Sequence, residues 1–185
     1  MRGRRGQANS WELLLACLLF FFALATFVTL WKNTTGMISD SERFTVFDDT
    51  ANDVAEKLVR TKGFPEAWTR QNVTVIGLAN EPRILNRTKV VEFLALMNAS
   101  SNTMCTDISN YKCNKHLLGV GKYDFYFALE DINGTTMVVN NMTCTAGEVP
   151  PFDVEQVTIP RTAILDDGIA RIKLTLWNNY SIAGA

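Results

Sequence analysis

The sequence has few of the residues from which catalytic and metal sites are built. It contains one histidine, His116, and four cysteines, Cys17, Cys105, Cys113 and Cys144, among 185 residues. Zinc sites need closely spaced sets of Cys and His, so a zinc centre is excluded. The Gly-x-Ser-x-Gly motif, the phosphate-loop spacing and the calcium-loop spacing are also missing. We therefore expect no catalytic residue, no cofactor and no metal, in a protein that is not an enzyme.

Charge is missing from one long stretch near the N-terminus. Residues 13–30 are eighteen uncharged positions, and Trp11 and Trp31 bracket them. About 20 apolar residues cross the hydrocarbon of a bilayer, and Trp is enriched at both interfaces. The pattern predicts a transmembrane helix over residues 11–31. A buried core helix is the alternative, but such a helix is seldom apolar on every face.

Charges on the two sides of the span predict its orientation. Three arginines and no acid precede Ser10, whereas residues 32–185 hold 15 Lys or Arg and 18 Asp or Glu. Basic flanks stay in the cytoplasm, so residues 1–10 are predicted to be cytoplasmic and the remainder extracytoplasmic, at the cell membrane. The lipid bilayer is the predicted partner. A mildly acidic domain gives no reason to expect nucleic acid, and no small-molecule substrate is evident.

The apolar stretch could also be a signal peptide or a lipoprotein leader. It is longer than the 7–15 apolar residues typical of a signal peptide, and no Ala-x-Ala pattern follows it. Only four apolar residues precede Cys17 and thirteen follow it, the reverse of a lipoprotein leader. We expect the span to be retained and Cys17 to be unmodified.

Sequons for N-glycosylation are more frequent than composition predicts. With 15 Asn and 26 Ser or Thr in 185 residues, about two Asn-x-Ser/Thr triplets would arise by chance. Some matches are therefore accidental. Seven occur, all after the span, and their excess agrees with an exported, glycosylated domain. They begin at Asn33, Asn72, Asn86, Asn98, Asn133, Asn141 and Asn179.

Cysteine usage fits the same compartment. Cys105 and Cys113 enclose a short polar loop outside the span, where disulfides persist, and this pair is the predicted disulfide. Pairing of Cys144 with either of them is the alternative. One of the three stays unpaired in each case.

Hydrophobic periodicity predicts that the helix continues beyond the membrane. Apolar residues recur at three- and four-residue steps from about Ile38 to Thr61, as on one face of an amphipathic helix. Gly63-Phe64-Pro65 should end it. The segment Asn33-Thr34-Thr35-Gly36 could bend or interrupt this arm. We assign residues 32–62 to the amphipathic continuation.

The remaining residues, 63–185, are predicted to form one extracytoplasmic α+β domain. Asn86 should cap a short helix from Arg87 to Met97. Residues from Asn98 to about Lys115 read as a polar loop. Pro160 should lie at a bulge or an edge of its strand. The predicted strands are residues 73–78, a hairpin of 123–129 and 135–139 around Asn133-Gly134, and a hairpin of 153–165 and 169–177 around Asp166-Asp167-Gly168. The expected fold is a long N-terminal helix packed on a mostly antiparallel sheet of about five strands.

The N-terminus resembles the class III leader of archaeal type IV pilins. The resemblance lies in Arg4-Arg5-Gly6-Gln7-Ala8-Asn9-Ser10-Trp11-Glu12-Leu13. In that family a basic leader ends in Gly or Ala, a Gln often follows, and a Glu precedes the apolar run. The resemblance implies removal of residues 1–6 by cleavage between Gly6 and Gln7. It also implies that Glu12 pairs with the amine of a neighbouring subunit in the filament core.

One feature of this match leaves an alternative. Pilins usually place the Glu fifth in the mature chain, whereas cleavage after Gly6 makes Glu12 the sixth residue. In the alternative, Gly6 belongs to a basic tail and Glu12 lies at the level of the lipid headgroups.

A second resemblance covers roughly residues 60–130. The segments 63–68, 72–79, 85–90 and 118–125 are similar to segments of functionally unassigned archaeal membrane proteins with pilin-like N-termini. Together these features favour a pilin-like or minor-pilin surface subunit that binds other such subunits through its N-terminal helix. The alternative is a permanently membrane-tethered binding or envelope protein that does not polymerise.

Overall fold

The computed structural model describes the backbone of residues 5–98 and 110–178, and the side chains of residues 11–35, 44–98 and 111–178. The chain divides into two compact units, Met1–Val46 and Phe47–Ala185. The first unit contains the apolar part of a long helix. The second is an α+β fold with a six-stranded, mostly antiparallel sheet, which confirms the predicted fold class.

Helix α1 runs Arg5–Arg60 and is continuous through residues 33–36, where the sequence allowed an interruption. Its last part belongs to the second unit and is amphipathic, as predicted. The residues that it buries are Phe47, Ala51, Val54, Ala55, Leu58 and Val59. They recur at three- and four-residue steps, so one face of the helix enters the core. The helix ends just before Gly63, whose φ of 76° suits a residue without a Cβ.

The other elements are short except for one hairpin. They are β1 Ala79–Glu81, β2 Ile84–Leu85, α2 Arg87–Asn98, α3 Asn110–Leu118, β3 Asp124–Glu130, β4 Val138–Val139, β5 Met142–Thr143, β6 Thr145–Gly147, β7 Gln156–Leu165 and β8 Gly168–Trp177. The main sheet has the order β1-β2-β7-β8-β3-β6, and β4 pairs with β5 separately. Only the β2–β7 pair is parallel among the strand pairs of the described residues.

The β7–β8 hairpin forms where it was predicted. Asp166 and Asp167 have φ of 51° and 65°, the left-handed pair of a two-residue hairpin turn. Pro160 pairs opposite Lys173 in an unbroken register. Strand β2 reaches β7 only at Ile164, so Pro160 lies on an edge within the part of the sheet that the structure describes. That position needs no backbone N–H, which explains the proline.

The predicted strand at residues 73–78 was wrong. Val75 makes a single bridge to Phe64, and the first true strand starts at Ala79. The backbone N–H of Leu78 donates instead to Leu58 O at 3.0 Å, and that of Ala79 to Thr61 O at 3.0 Å. The end of α1 therefore takes the hydrogen bonds that a sheet partner would have taken, because its last carbonyls need donors.

The hairpin predicted at residues 123–139 is only partly correct. The chain turns at Gly134, whose N–H donates to Asp131 O at 3.1 Å. The returning chain bridges β3 only at Thr136 and then pairs as β4 with β5. Strand β3 pairs along its whole length with β8 on one side and with the short strand β6 on the other. Alternation in the sequence could not specify these partners. Helix α3 was assigned to a polar loop, yet it buries Tyr111, Asn114 and Leu118.

The core of the second unit lies between the amphipathic part of α1, helix α2 and the inner face of the sheet. Its largest fully buried side chains include Phe93, Phe125, Phe127 and Ile172. The rings of Phe93 and Phe127 pack edge to face with centroids 5.0 Å apart, which joins α2 to β3. The rings of Phe47 and Tyr123 are 4.7 Å apart and join α1 to the start of β3.

Candidate functional site: the apolar helix and the surface of the folded unit

The first candidate is the apolar part of α1. Residues Trp11–Thr35 form the one helix of the described chain that is long and apolar enough to cross a membrane. None of its apolar window is buried against other parts of the protein. Twenty-five residues at 1.5 Å each extend about 37 Å, enough for a hydrocarbon layer of about 30 Å. The candidate span ends four residues beyond the predicted residues 11–31, and these four residues, Lys32 to Thr35, are polar.

Three threonine side chains of this helix bond to carbonyls of the helix itself. The hydroxyl of Thr26 donates to Ala23 O at 2.8 Å, and that of Thr29 to Ala25 O at 2.6 Å. Thr35 donates to Trp31 O at 2.8 Å. A hydroxyl that bonds to its own helix presents no unpaired donor to lipid, so these threonines are compatible with a span. Sequence analysis did not name these hydrogen bonds, although a threonine in a helix can reach the carbonyls three and four residues before it.

The predicted leader and assembly residues lie at the start of the same helix. Gly6 and Gln7 have helical backbone, and their side chains are outside those that the structure describes. Glu12 is exposed beside Trp11, at the head of the apolar segment. Cleavage between Gly6 and Gln7 and the pairing of Glu12 both stay predictions.

The sequons fall into different environments. Asn33 lies inside the candidate span, and Asn179 lies outside the described residues. Asn72, Asn98, Asn133 and Asn141 are exposed, whereas Asn86 is half-buried. The Asn86 side-chain oxygen accepts from Thr88 N at 2.9 Å and from Lys89 N at 3.2 Å. Asn86 therefore caps α2 as predicted, which is a structural use of the residue.

The cysteines of the described residues differ in their surroundings. Cys17 and Cys144 are free, so the alternative disulfide through Cys144 is not formed. Cys144 is buried, and its burial raises the pKa of the thiol above its usual range. Such a thiol is inert. Cys113 lies on α3, and its predicted partner Cys105 is outside the described residues, so that disulfide stays a prediction.

A buried polar cluster joins α3 to β3. The Tyr111 hydroxyl donates to Asp124 Oδ1 at 3.0 Å and accepts from Phe125 N at 2.8 Å. Lys115 Nζ donates to the same Asp124 oxygen at 2.6 Å. Burial raises the pKa of Tyr111 far above its usual range, so the phenol stays neutral. His116 is exposed and lies outside the cluster, whose polar groups are paired with one another, so the cluster anchors α3 to β3.

A second cluster closes the C-terminal end of α1. Lys89 is buried, and its ammonium donates to Lys62 O at 2.6 Å and to Ala79 O at 3.4 Å. The Trp68 indole donates to Lys62 O at 3.0 Å and to Gly77 O at 2.9 Å. Desolvation lowers the pKa of Lys89. A cation near helix-terminal carbonyls is electrostatically favourable, so this lysine is structural.

A third polar group connects α1 to β7. Arg161 Nε donates to Glu56 Oε2 at 2.8 Å, and its Nη2 donates to Asn52 Oδ1 at 2.9 Å. Arg60 Nε lies 2.5 Å from the other Glu56 oxygen. The hydrogen bond from Arg161 holds the pKa of Glu56 below its usual value. These contacts fix the helix on the sheet edge.

One groove of about 370 Å³ opens on the second unit. It is lined by Thr50, Asp53, Val54 and Lys57 of α1 and by Gly119, which follows α3. Among the described residues, no group of three His, Cys, Asp or Glu is placed to hold a metal ion. Sequence analysis had named none of the groove residues as a site.

No family model, curated protein or solved structure matches the chain. The class of protein therefore rests on its own architecture. An α+β unit with a six-stranded sheet follows a helix that is apolar, unburied and long enough to cross a membrane. A long apolar N-terminal helix and a sheet are the coarse layout of a pilin-like subunit.

Proposed function

We propose that the protein is a membrane-anchored, pilin-like or minor-pilin subunit of an archaeal cell surface, which acts by assembly and not by catalysis. The observation that carries this proposal is the apolar helix Trp11–Thr35, none of whose apolar window is buried. Its exposed apolar side chains need an apolar environment, which either lipid or the helices of neighbouring subunits can supply. The second unit, Phe47–Ala185, is the folded unit, and it faces the outside of the cell, as the basic N-terminus predicts.

Assembly is proposed to use Glu12. A carboxylate at the head of an apolar helix is costly in lipid and is retained where it has a partner. The partner in this proposal is the amine of Gln7 in a neighbouring copy, exposed by cleavage after Gly6. The bilayer and other pilin-like subunits are the partners, and neither nucleic acid nor a small-molecule substrate is required.

The second candidate is a tethered surface protein that does not polymerise. The position of Glu12, sixth and not fifth after the proposed cleavage, favours it. In this function the helix is only an anchor, and any binding would involve the folded unit.

The two candidates differ in the effect of Glu12→Gln on the full-length chain in its native membrane. If assembly depends on the carboxylate, the variant should reduce the fraction of chain in sedimenting or cross-linked multimers several-fold. Glu81→Gln is the matched control, because Glu81 is an exposed carboxylate of the folded unit. A wild-type chain found only as single copies would favour the tethered protein. Normal multimers of Glu12→Gln would reject the proposed pairing.

A further inference from the structure

The small hairpin of β4 and β5 is a two-stranded sheet beside the main sheet, in which Val138 pairs with Thr143 and Val139 with Met142. Val139 is buried in the core. The residues that flank the hairpin bond to Leu129 of β3: Met137 N donates to Leu129 O at 2.8 Å, and Cys144 O accepts from Leu129 N at 2.9 Å. At the turn, Arg87 Nη2 donates to Asn140 Oδ1 at 3.1 Å. Two-stranded sheets are marginal alone and expose unpaired edges, which proteins protect.

Exposed apolar side chains accompany this hairpin. Ile132 precedes it and Val138 lies on it, and each has 63% of its surface exposed. Ile132 is next to a sequon in the sequence, and Val138 is next to one across the hairpin. Ile132 is directly before Asn133, and Val138 is the strand partner of Thr143, the third residue of the Asn141 sequon.

The two sequons of this region present accessible amides on fixed turns. Asn141 is exposed in the left-handed region with φ of 65° and follows Asn140, with φ of 50°, in a two-residue turn. The turn at Asn133 is held by Asp131, whose Oδ1 accepts from Asn133 N at 2.9 Å and from Thr135 N at 2.8 Å. The Asn133 amide reaches Asp131 only at 3.5 Å, the limit of a hydrogen bond.

Two other sequons use their asparagines in the fold. Asn98 Nδ2 donates to Thr145 O of β6 at 2.5 Å, so this nitrogen lies against the backbone of the sheet. Asn86 is half-buried as the cap of α2, and its sequon residue Thr88 is inside that helix. Because an attached glycan is bulky and needs a surface position, these sites are less compatible with it than the turns are.

We propose that Asn133 and Asn141 are the glycan attachment sites of the β4–β5 region and that their sugars cover Ile132, Val138 and the open edges of this hairpin. The inference rests on the extracytoplasmic orientation in the proposed function. In the reaction, the amide Nδ2 forms a bond to the anomeric carbon of an oligosaccharide carried on a membrane lipid phosphate. The bond from that carbon to the phosphate oxygen breaks, the lipid phosphate leaves, and Nδ2 loses one proton. The lipid-linked oligosaccharide is the donor, and a membrane transferase catalyses the transfer.

The test uses the full-length chain in a host that N-glycosylates, followed by intact mass and glycopeptide mapping. Thr135→Val and Thr143→Val abolish the two sequons without changing Asn133 or Asn141, so the turns keep their favoured residues. Each variant should lose the mass of one glycan, and both losses should add in the double variant. Thr88→Val at the Asn86 sequon is the matched control and should lose none. Unchanged masses of Thr135→Val and Thr143→Val, or a loss confined to Thr88→Val, would overturn the assignment.

A second readout tests the shielding. The double variant, and wild-type protein stripped of sugar enzymatically, should both bind more of an apolar dye and aggregate at lower concentration than the glycosylated chain. If loss of the sugars changes neither the dye binding nor the concentration at which the protein aggregates, the shielding part of the proposal is wrong.

Protease added outside intact cells separates failure of this inference from failure of the proposed function. A protected folded unit would reject the orientation and, with it, both proposals. A cleaved but sugar-free unit would reject only the assignment of Asn133 and Asn141.

Discussion

The two parts of helix α1 share one secondary structure and have opposite surroundings. Residues 11–35 expose their leucines and phenylalanines, whereas the part from Phe47 to Arg60 buries one face completely at Ala51, Ala55, Leu58 and Val59. Helical hydrogen bonding is the same in both, so the difference arises from the side-chain pattern alone. An all-round apolar pattern requires an external apolar phase, and a one-sided pattern requires a core.

The largest effect expected from this contrast is on the buried part. Leu58 is fully buried, so Leu58→Ala removes packed methyl groups and leaves a cavity. We expect the free energy of unfolding of the second unit to fall by about 2–5 kcal/mol. Leu19→Ala is the matched control in the same helix, since Leu19 is exposed. Chemical unfolding followed by circular dichroism should show no effect of Leu19→Ala. Equal effects of Leu58→Ala and Leu19→Ala on the free energy of unfolding would contradict the distinction between the buried and the exposed part of α1.

The next effect concerns the exposed part. Phe20→Arg places a charge near the centre of the candidate span and should disfavour membrane insertion by about 2.5–3.5 kcal/mol, or roughly two orders of magnitude. Val46→Arg is the control, because Val46 is similarly exposed, at 59% against 63%, but lies outside the span. Flotation with liposomes measures the inserted fraction. An insertion unchanged by Phe20→Arg would contradict the membrane assignment.

A smaller effect is expected where α1 ends. Lys89→Met keeps the length of the side chain and removes the donor to Lys62 O and Ala79 O. Trp68 still donates to Lys62 O, but Ala79 O loses the ammonium, and a buried acceptor left short of a donor costs about 1–3 kcal/mol. The control Lys122→Met removes an exposed ammonium and should cost less than about 0.5 kcal/mol. Thermal unfolding compares them, and a neutral Lys89→Met would show that Trp68 alone caps the helix.

The smallest effect is the pH dependence of the contact between Glu56 and Arg161. The folded-state pKa of Glu56 is lower than the ordinary value of 4.5. Between these pKa values the unfolded chain binds more protons, so stability falls as the pH falls. The advantage of wild type over Glu56→Gln should be complete above pH 4.5 and be lost as the pH falls through the folded-state pKa.

The size of this pH effect should be about 1 kcal/mol or less, since the pair is partly exposed. Urea titrations at several pH values measure it. Asp49→Asn, an exposed change on the same helix, is the control. A constant advantage of wild type down to pH 2 would contradict the assignment.

Local patterns in the sequence were sufficient for some elements and not for others. The helix, its end near Gly63, the Asn86 cap and the Asp166-Asp167 turn depend on residues close in sequence, and each was predicted. The segment 73–78 alternates like a strand, but the N–H of its last residue, Leu78, donates to Leu58 O of α1, twenty residues earlier. Sequence periodicity does not reveal that the end of α1 takes a hydrogen bond that a neighbouring strand would otherwise take.

The candidate functional residues also divide into those that a local sequence pattern indicates and those that only the fold brings together. Sequons and the apolar run are linear patterns, so their positions follow from the sequence. The cluster of Tyr111, Lys115 and Asp124 joins residues 9 and 13 positions apart, and the contact of Glu56 with Arg161 joins residues 105 positions apart. Only the fold brings them together, and no spacing in the sequence indicates them.

The most direct test of the proposed assembly is the mass of the mature chain purified from its native membrane. Removal of residues 1–6 would give a chain that starts at Gln7, with the free amine that Glu12 of a neighbouring copy is proposed to bind. The account predicts this N-terminus. A mature chain that retains Arg2 to Gly6 would contradict it, because the leader would block that pairing and leave the helix as an anchor only.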